Sequence, residues 1–130
     1  MPLIRIDMPK GKSPEYRQAV SAGVHRALVE TFGVPRDDLF QIISEHGSDG
    51  SPSQIVHTPS YLGIRYTDDL TLIQLTVSDT RAVEQKKHLF RRIVDHLAES
   101  PGLRREDIFI NLVEVKKENW SFGNGEAQYA

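Results

Sequence analysis

The sequence predicts an α/β (α+β) fold made of a duplicated β-α-β unit. This is a four-stranded, mainly parallel or mixed sheet with two helices on one face. Three observations carry that expectation. The chain repeats itself at an offset of 69 residues. Each copy reads strand, helix, strand. The length of 130 residues, 38% hydrophobic and 26% charged, suits one core and is too short for two.

The repeat aligns without a gap. Leu3, Ile4, Glu15, Leu28, Glu30, Gly33, Arg36, Asp38 and Phe40 fall on Leu72, Ile73, Glu84, Leu97, Glu99, Gly102, Arg105, Asp107 and Phe109. These are nine identities in the window 3–43, against roughly two or three expected from average composition. Conservative pairs share the phase: Ile6 with Leu75, Val24 with Ile93, Val34 with Leu103, Leu39 with Ile108. The pseudo-repeats run from about 2–46 and 70–115.

Leu3, Ile4 and Ile6 predict a short buried strand, and Leu70, Leu72, Ile73, Leu75 and Val77 predict its counterpart. Tyr16, Val20, Val24, Ala27, Leu28 and Thr31 recur at spacings of three and four, the period of a helix face. Ser13-Pro14-Glu15 opens that helix, with Ser as N-cap and Pro in the first turn. Leu89, Phe90, Ile93, Val94 and Leu97 form the second stripe. Gly33 and Gly102 are expected to stop the two helices, where φ turns positive. Strands follow at Leu39–Ile43 and Ile108–Val115.

A strand on each side of a helix favours a parallel crossover. With both helices on one face, the other face of an apolar sheet is bare, so the chain is expected to self-associate. Residues 47–61 are rich in Gly, Ser and Pro and read as an excursion loop or hairpin, within a connection that spans 47–69. The tail 116–130 holds Trp120, the only Trp, and reads as a docked element. The whole of 1–130 is then a single domain.

Composition excludes several functions. A net charge of −2 disfavours nucleic acid and anionic membranes as partners. The absence of cysteine removes disulfides, thiolate nucleophiles and Cys-ligated metals. No apolar run approaches the roughly 20 residues of a membrane span. Met1-Pro2-Leu3-Ile4-Arg5-Ile6-Asp7 has no basic n-region and no long apolar run, so a cytoplasmic location is expected. His25, His46, His57, His88 and His96 form no metal-ligand spacing. His88 and His96, eight apart, read as a surface stripe, and Lys86-Lys87 and Arg91-Arg92 as a solvated face.

Three residues carry candidate chemistry. Methionine is normally removed before a small residue such as Pro, which makes Pro2 an amino-terminal secondary amine. At the start of a buried strand that nitrogen faces a pocket. Burial lowers its pKa and a nearby carboxylate raises it, and a general acid or base works best with a pKa near the operating pH. The repeat partner, Thr71, is internal and has no amine. Asp38 either polarises a water or holds the proline ammonium, or it caps a turn as its partner Asp107 would. Arg81 follows the third strand, where ligands collect in open α/β sheets. Its guanidinium either clamps a carboxylate through two hydrogen bonds or lies in solvent near a helix start.

Several short markers now stand together. They are Met1-Pro2-Leu3, the run Ala-Leu-Val-Glu-Thr-Phe-Gly-Val-Pro at 27–35 with Asp38, Glu84-Gln85-Lys86, Val113-Glu114 and Trp120-Ser121-Phe122-Gly123. With the duplication, they resemble the tautomerase superfamily over nearly the whole chain, and within it most closely the malonate semialdehyde decarboxylase family. The resemblance implies a homotrimer, a proline at the floor of each pocket, no metal and no organic cofactor. It implies catalytic roles for Pro2, Asp38 and Arg81, and a substrate-binding wall that includes Trp120 and Phe122. The decarboxylase pattern carries two arginines flanking a proline before the Glu-Gln-Lys run. Here the second is Arg81, the first falls on Asp79 and the proline on Thr80. A cation replaced by an anion reverses the local field, and a unit charge pair at about 4 Å and an effective dielectric of about 20 is worth roughly 4 kcal/mol.

The implied function is cofactor-independent chemistry on a small 2-oxo or β-oxo acid. Pro2 acts as a base in keto–enol tautomerisation if it is neutral near pH 7. It acts as an acid in decarboxylation or hydration if it stays cationic. A non-catalytic trimeric small-molecule-binding or scaffold protein is the alternative, with Asp79 as the feature favouring it.

Overall fold

The structure, a computed structural model, describes residues 1–48 and 50–130. Leu3–Pro9 (β1), Pro14–Phe32 (α1) and Gln41–His46 (β2) form the first unit. The two-residue strands Ser60–Tyr61 (β3) and Ile64–Arg65 (β4) pair as a small hairpin. Thr71–Ser78 (β5), Val83–Glu99 (α2) and Ile108–Val115 (β6) form the second unit. β1 pairs with β2 and β5 with β6 in parallel, while β1 and β5 pair antiparallel. The sheet is therefore mixed, in the order β2-β1-β5-β6. Because the central pair runs antiparallel, Leu3 lies opposite Thr76 and the start of β1 meets the end of β5.

Helix α1 begins as its sequence predicts. Ser13 Oγ accepts from the Tyr16 N–H at 3.1 Å, and Pro14 occupies the first turn. It ends at Gly33, whose φ of +67° lets its N–H reach the Leu28 carbonyl. Helix α2 ends differently from the expectation. Ser100 caps it in an extended conformation, and Gly102, with φ +100°, comes two residues later. Pro101 disfavours helical backbone at Ser100 and has no N–H to continue the ladder. Gly102 instead donates to the Leu97 carbonyl at 3.1 Å. β2 likewise starts at Gln41 rather than Leu39. Leu39 and Phe40 are exposed, although the Phe40 carbonyl accepts from the Ile4 N–H at 3.0 Å.

The core lies between the sheet and the two helices. Ile4, Ile6 and Met8 alternate along β1, and Ile73, Leu75 and Val77 along β5. They meet Val20, Val24 and Leu28 of α1 and Leu89, Ile93 and Leu97 of α2. Each such side chain, fully buried, contributes about 1.5–3 kcal/mol. Gly23 lets the helices approach, since a Cβ there would sit 2.7 Å from Leu97 Cδ2. His96 departs from the expected surface stripe. It is buried, with Nε2 3.0 Å from Glu30 Oε2, because its position faces α1 across this contact. The basic face of α2 is partly paired: Lys86 bonds Glu114, and Arg92 bonds Glu30 and Asp95.

Among the described residues nothing covers the apolar side chains of the opposite sheet face. Leu3, Ile42, Phe109 and Val113 keep between 38% and 47% of their surface exposed there. Of the expected 47–61 excursion, Asp49 lies outside the described residues. Gly47 and Gln54 form a bridge, and the hairpin proper begins at Ser60. His46 ties the excursion to the sheet, with Nε2 2.7 Å from Asp7 Oδ1 and Nδ1 2.5 Å from Ser53 Oγ. Among the described residues no helix is long and apolar enough to cross a membrane.

Asp107 sits on the short 3₁₀ turn Arg105–Asp107 and is fully buried. It accepts from the Thr67 N–H at 2.8 Å, from the Thr67 hydroxyl at 2.5 Å and from Arg104 Nη1 at 3.2 Å. Burial alone would push its carboxyl up, but these hydrogen bonds outweigh it and hold the carboxyl below the usual range. A depressed carboxyl contributes stability above its unfolded value of about 3.9, and loses it as pH falls toward the folded value. Asp107→Ala is expected to cost about 1–3 kcal/mol in urea melts at neutral pH. The gap from wild type should shrink as the pH drops below about 4.

Candidate active site

Four chain segments converge at one end of the sheet. The start of β1 brings Met1 and Pro2. The turn before β2 brings Asp38, whose N–H donates to the Pro35 carbonyl at 3.0 Å. The end of β5 brings Ser78, Thr80 and Arg81. The end of β6 runs through the 3₁₀ turn Lys117–Asn119 to Trp120. A cavity of about 410 Å³ opens among them, lined by Met1, Ser78, Thr80, Arg81, Lys117 and Tyr129.

Pro2 is buried, and Met1 lines the cavity. The amino group of Met1 lies 3.9 Å from Asp38 Oδ2. Burial pushes that amine below the usual range of a terminal amine; Asp38 opposes the shift and Arg81 adds to it. Burial also pushes the Asp38 carboxyl up, against the pull of the terminal ammonium. Asp38 Oδ1 is buried and has no hydrogen-bond partner among the described residues. Buried polar atoms are nearly always bonded, so an unpartnered carboxylate oxygen beside an amine calls for an explanation.

Asp107, the repeat partner, is bonded differently from Asp38. Asp107 spends its oxygens on Thr67 and Arg104 as a turn clamp, whereas Asp38 spends neither on the turn that holds it. The same position in the two units is structural in one and open in the other.

Arg81 is held by its own neighbourhood. Nη2 donates to the Phe32 carbonyl at 3.0 Å, Nη1 donates to Thr80 Oγ1, and the guanidinium carbon lies 4.8 Å from the centre of the Phe32 ring. Two of its five N–H donors are thus used, and the others remain for a ligand. Trp120 Nε1 donates to Ser78 Oγ at 3.1 Å, which fixes the indole against the end of β5. Phe122 stacks on Trp120 at 5.6 Å, and Tyr129 meets Phe122 edge-on at 4.8 Å. Neither Trp120 nor Phe122 lines the cavity; Tyr129, packed on Phe122, does. Sequence reading missed Tyr129 and Lys117. A docked tail was the one signal for Tyr129, and no spacing marked Lys117.

A larger groove of about 1000 Å³ opens at the opposite end of the sheet, beside His46, Lys10, Gly11 and Asp69. It has neither a terminal amine nor an unpartnered buried carboxylate among the described residues. No group of three His, Asp or Glu there or elsewhere among the described residues could hold a metal.

Two family models, each described as tautomerase enzyme, match residues 38–123 and 2–51. The chain belongs to the tautomerase family. It is 38% identical to the probable tautomerase YusQ of Bacillus subtilis (strain 168), over 98% of both chains. The FG41 malonate semialdehyde decarboxylase, in a crystal structure with 3-bromopropiolate as inhibitor, is 37% identical with a TM-score of 0.87, covering 98% of this chain and 93% of that one. A second malonate semialdehyde decarboxylase, described with decarboxylase and hydratase activities, is 28% identical at the same TM-score, over 98% and 95%. This tautomerase-family fold and its likeness to the malonate semialdehyde decarboxylases agree with the resemblance read from the sequence.

The electrostatics at the terminus give a direct test. Asp38→Asn removes the charge that raises the amine's pKa, so the terminal amine should titrate lower. Arg81→Ala removes a cation that lowers it, so the amine should titrate higher. The pH dependence of amino-terminal acylation, followed by intact mass, reads both shifts, which should be opposite in sign.

Proposed function

We propose that this chain is a cofactor-independent enzyme that moves a proton on a small 2-oxo or β-oxo acid, with the amine of Pro2 as general acid/base. One observation carries the reading: the amino-terminal residue and Arg81 line one cavity, and that terminus lies 3.9 Å from Asp38, whose other carboxylate oxygen is buried and without a partner among the described residues. Removal of Met1 would bare the proline nitrogen and enlarge the cavity where the methionine stands.

Burial pushes the Met1 amine down, with Asp38 opposing and Arg81 adding to the shift, and a proline amine set free at the same strand start would meet the same three influences. The base branch follows. Pro2 takes the proton from the enol oxygen and returns it to carbon, giving keto–enol tautomerisation. Arg81 pairs the substrate carboxylate and offsets charge that develops on the enolate oxygen. Asp38 holds the prolinium once it forms, with the oxygen that nothing else engages. Phe122 serves the pocket by packing on Tyr129, and Trp120 by stacking on Phe122. Decarboxylation or hydration is open to the same site when the amine is cationic. No step calls on a metal or an organic cofactor.

The uncovered sheet face supports self-association as a homotrimer, with Leu3, Ile42, Phe109 and Val113 as its apolar contacts. A cytoplasmic location suits such an enzyme. The alternative is a non-catalytic trimeric binding or scaffold protein. It draws on Asp79, but that residue is exposed and does not line the cavity.

Intact mass should be lower than the full chain by one methionine. With phenylenolpyruvate, Pro2→Ala should lower kcat/KM by about 10²-fold or more, and the wild-type rate should rise with pH through a pKa below that of an ordinary terminal amine. Unchanged turnover in the variant, or a retained Met1, would favour the non-catalytic alternative. Sedimentation should give three chains per particle, and Phe109→Glu should shift it toward the monomer.

A further inference from the structure

The cavity beside Met1 carries more positive charge than one carboxylate needs. Arg81 and Lys117 both line it, and neither forms a salt bridge among the described residues. Arg81 is bonded only to neutral acceptors, the Phe32 carbonyl and the Thr80 hydroxyl. Lys86, on α2, is by contrast neutralised by Glu114. Asp79, the nearest acid to Arg81 in sequence, is exposed and outside the lining. Asp38 faces the amine instead, at 3.9 Å.

Lys117 is held in place through the backbone. It opens the 3₁₀ turn after β6, and its carbonyl accepts from the Trp120 N–H at 3.4 Å. Trp120 is in turn bonded to Ser78 on β5. The turn that carries the ammonium is therefore fixed to the strand that leads to Arg81. Two cations without salt-bridge partners among the described residues line one space from two strand ends, and Tyr129 of the tail lines it with them.

We infer that Lys117 is a specificity-determining residue that binds a second carboxylate, so that the preferred substrate is a short oxo diacid and not an oxo monoacid. The inference rests on the reading of this cavity as the substrate site. Arg81, with its planar fork, suits the carboxylate next to the reacting carbonyl. Lys117, a flexible point charge, suits the distal one. A monoacid would leave the ammonium unpaired and gain nothing from it.

The test is binding, so that it does not depend on turnover. The mature chain is titrated by calorimetry with 2-oxoglutarate and with 2-oxopentanoate, which share a five-carbon oxo-acid chain and differ by one carboxylate. The diacid should bind at least about tenfold tighter, the scale of one charge-assisted contact. Lys117→Ala should abolish that preference, Lys117→Glu should reverse it, and Lys117→Arg should retain it. Equal binding of the two probes by wild type, no binding of either, or a preference that survives Lys117→Ala would overturn the inference. A failure of the proton-transfer reading is separate, because it shows as unchanged turnover in Pro2→Ala while the diacid preference stands.

Discussion

The antiparallel pairing of β1 with β5 is the constraint on which the rest depends. Each β-α-β unit alone is parallel, and carries its chain from one end of the sheet to the other. Joining two units head to tail through β1 and β5 reverses the second against the first. The start of β1 and the turn into β2 then share an end with the exits of β5 and β6. An amino terminus, a carboxylate, a guanidinium and an ammonium meet there although they are spread from residue 1 to residue 117. A parallel β1–β5 pair would have left Arg81 and Lys117 at the far end.

The same pairing makes the two ends of the molecule equivalent by topology and unequal by chemistry. Asp38 and Asp107 occupy matching positions, each just before the second strand of its unit. Asp107 is filled with hydrogen bonds from Thr67, 40 residues earlier in the chain, and from Arg104 at the head of its own turn. Asp38 Oδ1 receives no such bond among the described residues, and the Met1 amine lies 3.9 Å from Oδ2. Thr71, the internal counterpart of Pro2, is buried in the sheet and offers no basic nitrogen.

Much of the fold was legible because it obeys local rules. The period of Val20, Val24 and Leu28, the Ser13-Pro14 start and the alternation along β5 each specify an element before any packing is known. The departures have local causes too. Pro101 moved the stop of α2 ahead of Gly102. The exposed Leu39 and Phe40 lead into β2 instead of forming it. His96 was misread because helical spacing says which residues share a face, but not what that face meets. Glu30 on α1 supplied the answer.

The candidate site was legible in part. Pro2, Asp38 and Arg81 stand out by residue type and by place at strand ends, and the aromatic tail is visible as a composition shift. These follow from the sequence by itself, with the duplication, the two helices and the four main strands. Tertiary structure alone decided that Asp38 Oδ1 is unpartnered while Asp107 is bonded, that Tyr129 lines the cavity while Trp120 and Phe122 do not, and that Lys117 lies with Arg81 on one cavity. Such facts depend on which segments pack across a gap of many residues, and a carboxylate or an ammonium carries no local signal of whether a partner will reach it.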